Sequence, residues 1–164
     1  MPGVTDHAAD LDRVHAALRE RGATLATAES LTGGGLAEAV SSVPGASASY
    51  VGGVVSYATE VKVSLLGVDP EVVAAHGVVS APCARQMADG VRRLLGADWA
   101  VSTTGVAGPT EQDGRPVGTV FVGVAGPDGT TVHELHLPGD RVAVRSGTVA
   151  AATGLVLERI SGRS

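Results

Sequence analysis

The residues with the most chemical potential stand in one run, Glu29-Ser30-Leu31-Thr32-Gly33-Gly34-Gly35. It falls between an apolar stretch and a helical one. Glycines let backbone amides face an anion, and a helix N-terminus adds positive potential. The same amides could stabilise an oxyanion. The run is not a Walker loop, because no Gly-Lys-Ser/Thr follows. It is not a nucleophile elbow, because Ser30 lacks the Gly-x-Ser-x-Gly frame. A plain capped turn, with Ser30 or Thr32 as N-cap, accounts for the same residues without chemistry.

Lys62 is the only lysine among 12 Lys and Arg residues. Arginine stays charged, whereas a desolvated lysine can lose its proton and act as a base. Tyr57 stands shortly before it at a strand end. A serine hydroxyl needs a base to become nucleophilic, and a neutral Lys or a Lys-polarised Tyr can serve. The competing reading makes Tyr57 an edge-of-core aromatic and Lys62 a solvated residue. No histidine is placed for a Ser-His-Asp triad. His7 falls in a tail, His15 on a helix, His133 and His136 on a hairpin strand, and His76 at a helix end that suits a cation. Arg141 and Arg145 lie one turn apart near a helix N-terminus, where the dipole disfavours cations. Such a pair calls for a compensating anion, either a ligand phosphate or a carboxylate such as Glu29 or Glu60. No His-x-x-x-His pair or carboxylate cluster has metal-ligand spacing, so no metal or other cofactor is expected.

The elements that must position these groups follow from periodicity and punctuation. Asp10 to Arg21 carries Leu11, Val14, Ala17 and Leu18 at helical spacing, with Gly22 as a stop. Thr24 to Ala28 reads as a buried strand, and a helix follows from about Thr32 to Val40. Tyr50 to Tyr57 is a strand whose Gly52-Gly53 pair admits a close neighbour. Glu60 to Leu66 is a short helix. Asp69-Pro70 opens another, with Asp as N-cap and Pro at the first position. Ser80 caps a helix to Leu95. Trp99 to Thr104 is a strand, and Thr110 to Pro116 a loop. Strands Gly118 to Ala125 and Thr130 to Leu137 are joined by Gly126-Pro127-Asp128-Gly129, a hairpin signal. Asp140 caps a last helix to about Ile160. Alternating helices and strands with one late hairpin predict a three-layer α/β/α fold with a mixed, mostly parallel sheet. Residues 1–9 read as a tail and residues 10–164 as a single domain. Ligands in such sheets sit beyond the carboxyl ends of strands. Three of those ends carry unusual loops, at residues 30–35, 57–62 and 104–109.

Composition narrows the function. The chain has 164 residues, a net charge of −5, 44% hydrophobic and 18% charged residues. It is therefore globular and carries no basic stripe for nucleic acid. Its aromatics are Tyr50, Tyr57, Trp99 and Phe121, too few for base-stacking platforms. No apolar run approaches the ~18 residues of a membrane span. Met1 to Asp10 lacks the pattern of a secretory signal. With Cys83 as its single cysteine, the chain suits the reducing cytoplasm.

A family resemblance then becomes visible. Thr27-Ala28-Glu29-Ser30-x-Thr32-Gly33-Gly34 resembles the Ala-Glu-Ser-Cys-Thr-Gly-Gly signature of the CinA C-terminal domain family, the nicotinamide-nucleotide amidohydrolases. Further motifs follow in order: Val43 to Ser47, Gly52 to Tyr57, Lys62-x-x-Leu65-Leu66-Gly67-Val68, His76 to Ser80, Thr104 to Pro109, Pro116 to Val120 and Pro138 to Arg141. The motifs run from Thr27 to Arg141, and the resemblance covers about residues 10–160. The resemblance is to the stand-alone form of a family that also occurs fused to a larger N-terminal domain. Leu31 stands where the family carries a cysteine, and Thr110 to Arg115 where it carries more glycines.

The resemblance implies metal-independent hydrolysis of the carboxamide of nicotinamide mononucleotide to nicotinic acid mononucleotide and ammonia. It implies Ser30 as nucleophile, Lys62 as base or pKa-lowering cation, and Tyr57 as proton relay or orienting hydroxyl. Thr32, Gly33 and Gly34 would form an amide-rich anion or oxyanion wall. Thr104, Gly105 and Gly108 would line the nucleotide pocket, with Arg145 meeting the phosphate. A homo-oligomer is also implied. Two other readings remain open from the residues: a catalytically silent nucleotide-binding or regulatory module, and an amidase on another small substrate.

Overall fold

The computed structural model describes residues 7–162. Its elements in chain order are α1 (His7–Arg21), β1 (Leu25–Glu29), α2 (Gly35–Ser41), a 3-10 turn (Ala46–Ala48), β2 (Tyr50–Val55), α3 (Thr59–Ser64), α4 (Pro70–His76), α5 (Ala81–Leu95), β3 (Trp99–Gly105), β4 (Thr119–Gly126), β5 (Gly129–His136) and α6 (Arg141–Ile160). The predicted caps are in place. The Asp69 side chain accepts from Glu71 N, Ser80 from Cys83 N and Asp140 from Ala143 N. Each satisfies an orphan amide of its helix start.

The five strands form one sheet in the order β2-β1-β3-β4-β5. β1 pairs parallel with both β2 and β3, whereas β3–β4 and β4–β5 are antiparallel. Side chains alternate across the sheet, so each strand feeds two cores. Leu25 and Val101 face a cluster with Leu11, Val14 and Leu18 of α1, Leu36 and Val40 of α2, and Val144, Val156 and Ile160 of α6. Ala26, Ala28 and Ala100 face Cys83, Met87 and Val91 of α5 on the other side. The result is a three-layer α/β/α arrangement. Each buried Leu or Val contributes roughly 1.5–3 kcal/mol. Small residues on the α5 side let that helix sit close to the strands. Gly53 plays the role expected of it, since a Cβ there would lie 2.1 Å from Thr27 Oγ1 on β1.

The topology fixes where a ligand can enter. The chain leaves β1 through α2 on one face and reaches β2. It returns through α3–α5 on the opposite face and reaches β3 on the far side of β1. Right-handed crossovers require this switch of face. The crevice they leave open lies beyond the carboxyl end of β1, where Ser30 follows Glu29.

Three expectations need adjusting. α1 begins at His7, so residues 7–9 of the expected tail are helical; residues 1–6 lie outside the described ones. α2 starts at Gly35 and not Thr32, because Gly33 and Gly34 have φ of 56° and 103° and break the helix path. The expected loop at 110–116 contains a Gln112–Arg115 antiparallel bridge. Among the described residues, no helix is long and apolar enough to cross a membrane.

Candidate active site

Ser30 and Lys62 meet. Lys62 Nζ lies 2.9 Å from Ser30 Oγ, 2.6 Å from Ser56 O and 3.2 Å from Tyr57 O. α3 presents the lysine, and the carboxyl ends of β1 and β2 supply its three partners. Lys62 is 1% exposed and is the largest of the fully buried side chains among the described residues. No carboxylate there lies within ion-pair distance of it. Burial without a counter-ion pushes its pKa below the ordinary lysine value. Lys62 Nζ donates to all three oxygens, two of them backbone carbonyls that can only accept. Loss of one proton would leave both carbonyl bonds in place and free the nitrogen lone pair toward the Ser30 hydroxyl.

The surrounding cavity holds about 350 Å³ and draws on all three strand-end loops. Ser30 and Leu31 come from the first, Tyr57, Thr59 and Lys62 from the second, and Thr104 to Gly108 from the third. Thr104 is buried and donates to Val78 O at 2.8 Å, tying β3 to the α4–α5 junction. Val78, Val79, Thr110, Glu111, Gln112 and Arg141 complete the lining. Arg141 donates to Gly108 O at 2.7 Å and to the Tyr57 hydroxyl at 3.3 Å, bridging two walls at the mouth.

Several expected site residues stand elsewhere. Thr32, Gly33 and Gly34 do not line the cavity. The positive end of α2 is already occupied by the chain's own carboxylate. Glu29 accepts from Leu36 N at 2.8 Å, Ala37 N at 3.1 Å and Thr32 Oγ1 at 2.6 Å. Glu29 is 1% exposed, and a buried carboxylate needs such donors. An amide wall for a ligand anion is therefore not available at this helix start. Arg145 is also outside the cavity. Its guanidinium donates to Leu31 O at 3.0 Å and Thr32 O at 3.1 Å, bracing the serine loop from behind. Neither Arg141 nor Arg145 is paired with Glu29 or Glu60; carbonyl and phenol oxygens provide their compensation. The Tyr57 phenol is 62% exposed and bonds Arg141, not Ser30 or Lys62. The Tyr57 backbone carbonyl, by contrast, helps hold the lysine.

The sequence reading missed Thr59, Val78, Val79 and the 110–112 wall, and it placed the cavity arginine one turn too late. The Asp113-Gly114 pair was the available signal for an ordered structure at 110–116. Cys83 is buried beneath the site, and burial pushes its thiol up to about 11. It remains a neutral apolar side chain.

The comparisons agree with the motif order. The family model of the CinA C-terminal domain matches residues 8–160. A CinA-like protein from Frankia casuarinae is 54% identical over 88% of this chain. A putative competence-damage inducible protein from Desulforamulus reducens is 45% identical over 89% of it. The alignments cover 34% and 36% of those relatives, so the chain spans about a third of their length. Among solved structures, a competence-damaged protein (CinA) superfamily protein from Klebsiella pneumoniae is 36% identical. It superposes with a TM-score of 0.91 over 95% of this chain and 98% of that one. A competence/damage inducible protein from Agrobacterium tumefaciens is 33% identical, with a TM-score of 0.90 over 98% of both chains. With the strand-end cavity, the ordered motifs and these matches in agreement, the chain belongs to the CinA C-terminal domain family.

Proposed function

We propose that this chain is a metal-independent amidohydrolase that opens the carboxamide of nicotinamide mononucleotide through an acyl-enzyme on Ser30. The observation that carries the reading is the 2.9 Å approach of a buried, unpaired lysine to a cavity-lining serine. In the first half-reaction, Ser30 Oγ attacks the amide carbon and its proton passes to Lys62 Nζ. The tetrahedral intermediate collapses, the C–N bond breaks, and Lys62 returns the proton to the departing amine, releasing ammonia. In the second, water attacks the acyl carbon and passes a proton to Lys62, the ester bond to Ser30 breaks, and Lys62 returns that proton to Ser30 Oγ as the carboxylic acid leaves. The lysine thus serves as base and acid in turn.

The other groups have supporting roles. Ser30 N already donates to Thr103 O at 3.0 Å, so the nucleophile's own amide does not serve the oxyanion. Arg141 at the mouth is the cation best placed for the substrate's anionic group, a role the family resemblance gave to Arg145. Tyr57 orients Arg141, which fits an orienting hydroxyl better than a proton relay. Thr104, Gly105 and Gly108 line the same cavity from the end of β3, beside the serine loop. A cytoplasmic location and a homo-oligomeric assembly belong to the same proposal.

The test is ammonia release from nicotinamide mononucleotide by purified protein without added metal. Ser30→Ala is expected to lower kcat by on the order of 10³-fold or more while leaving the circular-dichroism spectrum unchanged. Lys62→Arg is expected to cost roughly 10²-fold or more, because arginine cannot take the proton. Turnover by Ser30→Ala at the wild-type rate would reject the acyl-enzyme. Nucleotide binding with no ammonia from the wild type would favour a silent binding module.

A further inference from the structure

Residues 110–116 form an ordered device. Gln112 N donates to Arg115 O at 3.2 Å, and Arg115 N to Gln112 O at 2.8 Å. Between them, Asp113 and Gly114 have φ of 52° and 71°. Two consecutive positive φ values flanked by a bonded pair make a two-residue hairpin of the I′ type, for which Asp-Gly is a favoured sequence. The hairpin is fastened at two points. The Asp113 carboxylate accepts from Val78 N at 3.1 Å, and the Arg115 guanidinium lies 5.5 Å from the centre of the Phe121 ring. Gly77 makes room for the first contact, since a Cβ there would sit 2.8 Å from Asp113 Oδ2. The turn residue thus reaches the α4–α5 junction, whose Val78 and Val79 line the cavity.

This fastening has a consequence for substrate choice. Thr110, Glu111 and Gln112, on the arm of the hairpin, line the same cavity as Ser30, Lys62 and Arg141. Ser30 and Lys62 are committed to the amide, and Arg141 to an anion. The carboxylate of Glu111 and the carboxamide oxygen of Gln112 accept hydrogen bonds and suit a part of the substrate rich in O–H donors. We propose that residues 110–112, held in place by the 112–115 hairpin that Asp113 latches to Val78, are the wall that recognises the sugar hydroxyls of a nucleotide amide. Asp113 is then a positioning residue for selection, acting through Glu111 and Gln112. The inference rests on the amidohydrolase reading and specifies which part of the substrate each wall meets.

The experiment compares nicotinamide mononucleotide with bare nicotinamide. In Asp113→Ala, KM for the nucleotide is expected to rise about tenfold with kcat nearly unchanged, one charge-assisted bond being worth about that factor. The kcat/KM for nicotinamide stays the same, so discrimination falls. Asp113→Asn keeps an oxygen that can accept from Val78 N and is expected to retain near-wild-type selectivity. If Asp113→Ala does not fold, the double variant Glu111→Ala/Gln112→Ala leaves the latch intact and is expected to lose the same discrimination. Equal losses on both substrates, or no change in KM, would overturn the proposal while the amidohydrolase reading stands. Titration with nicotinic acid mononucleotide separates the two failures. If the wild type binds it but releases no ammonia from the amide, the hydrolase reading fails, and a roughly tenfold weaker Kd in Asp113→Ala still supports the wall. If the wild type neither binds nor turns over, both fall.

Discussion

Lys62, the base of the proposed reaction, carries a stability cost. Burial lowers its pKa below the ordinary lysine value of 10.5. Between the lowered value and 10.5, the unfolded chain holds a proton that the native protein does not. Stability therefore rises with pH across that window, and the penalty is full and constant below it. Urea denaturation from neutral to alkaline pH should show this slope, and Lys62→Met should flatten it. The proposed hydrolysis needs the neutral amine, so kcat/KM should climb with pH through a limb centred below 10.5. A flat profile would exclude Lys62 as the base. At this scale the sequence was informative about identity but not about direction. Ser30 and Lys62 stood out by residue type. That the Tyr57 carbonyl, and not its phenol, touches the lysine depends on how the backbone turns after β2. No spacing rule encodes that turn.

The helix and loop after β1 form the element on which the site depends. Glu29 ends the strand, and its carboxylate closes the N-terminus of α2 through Leu36 N and Ala37 N. Between those two anchors the chain must arch, and Ser30 sits on the arch. Arg145 holds the loop carbonyls from the other side. Glu29→Gln removes the charge from three buried bonds and should cost about 2 kcal/mol, read as a lower denaturation midpoint. It should also lower kcat by roughly tenfold or more, because a displaced nucleophile loses its attack geometry. A variant with wild-type kcat would show that the arch does not depend on the cap. The glycine-rich run promised an anion site, and an anion is indeed there. It comes from the chain itself, and the glutamate that opens the run gives no sequence sign of folding back onto the next helix.

Across the whole molecule, the site and the β4–β5 turn lie at opposite ends of α6. Arg141 opens the helix at the cavity mouth. Arg159, roughly 27 Å along at 1.5 Å per residue, donates to Val124 O and Gly129 O and lies 5.7 Å from the centre of the Trp99 ring. Arg159→Ala should therefore loosen the β4–β5 end, costing about 1–2 kcal/mol and roughly 3–6 °C in Tm. It should leave kcat unchanged; a matching loss of activity would mean the two ends are coupled. The sequence by itself determined the helix caps, the strand cores, the three loops that converge and the family, because each is written in local spacing and residue type. Tertiary structure alone decided which of two arginines one turn apart faces the cavity. It also gave the α2 terminus to Glu29 and turned residues 110–116 into a wall. Those outcomes depend on distances between segments far apart in the chain, set by how α2, α5 and α6 pack against the sheet.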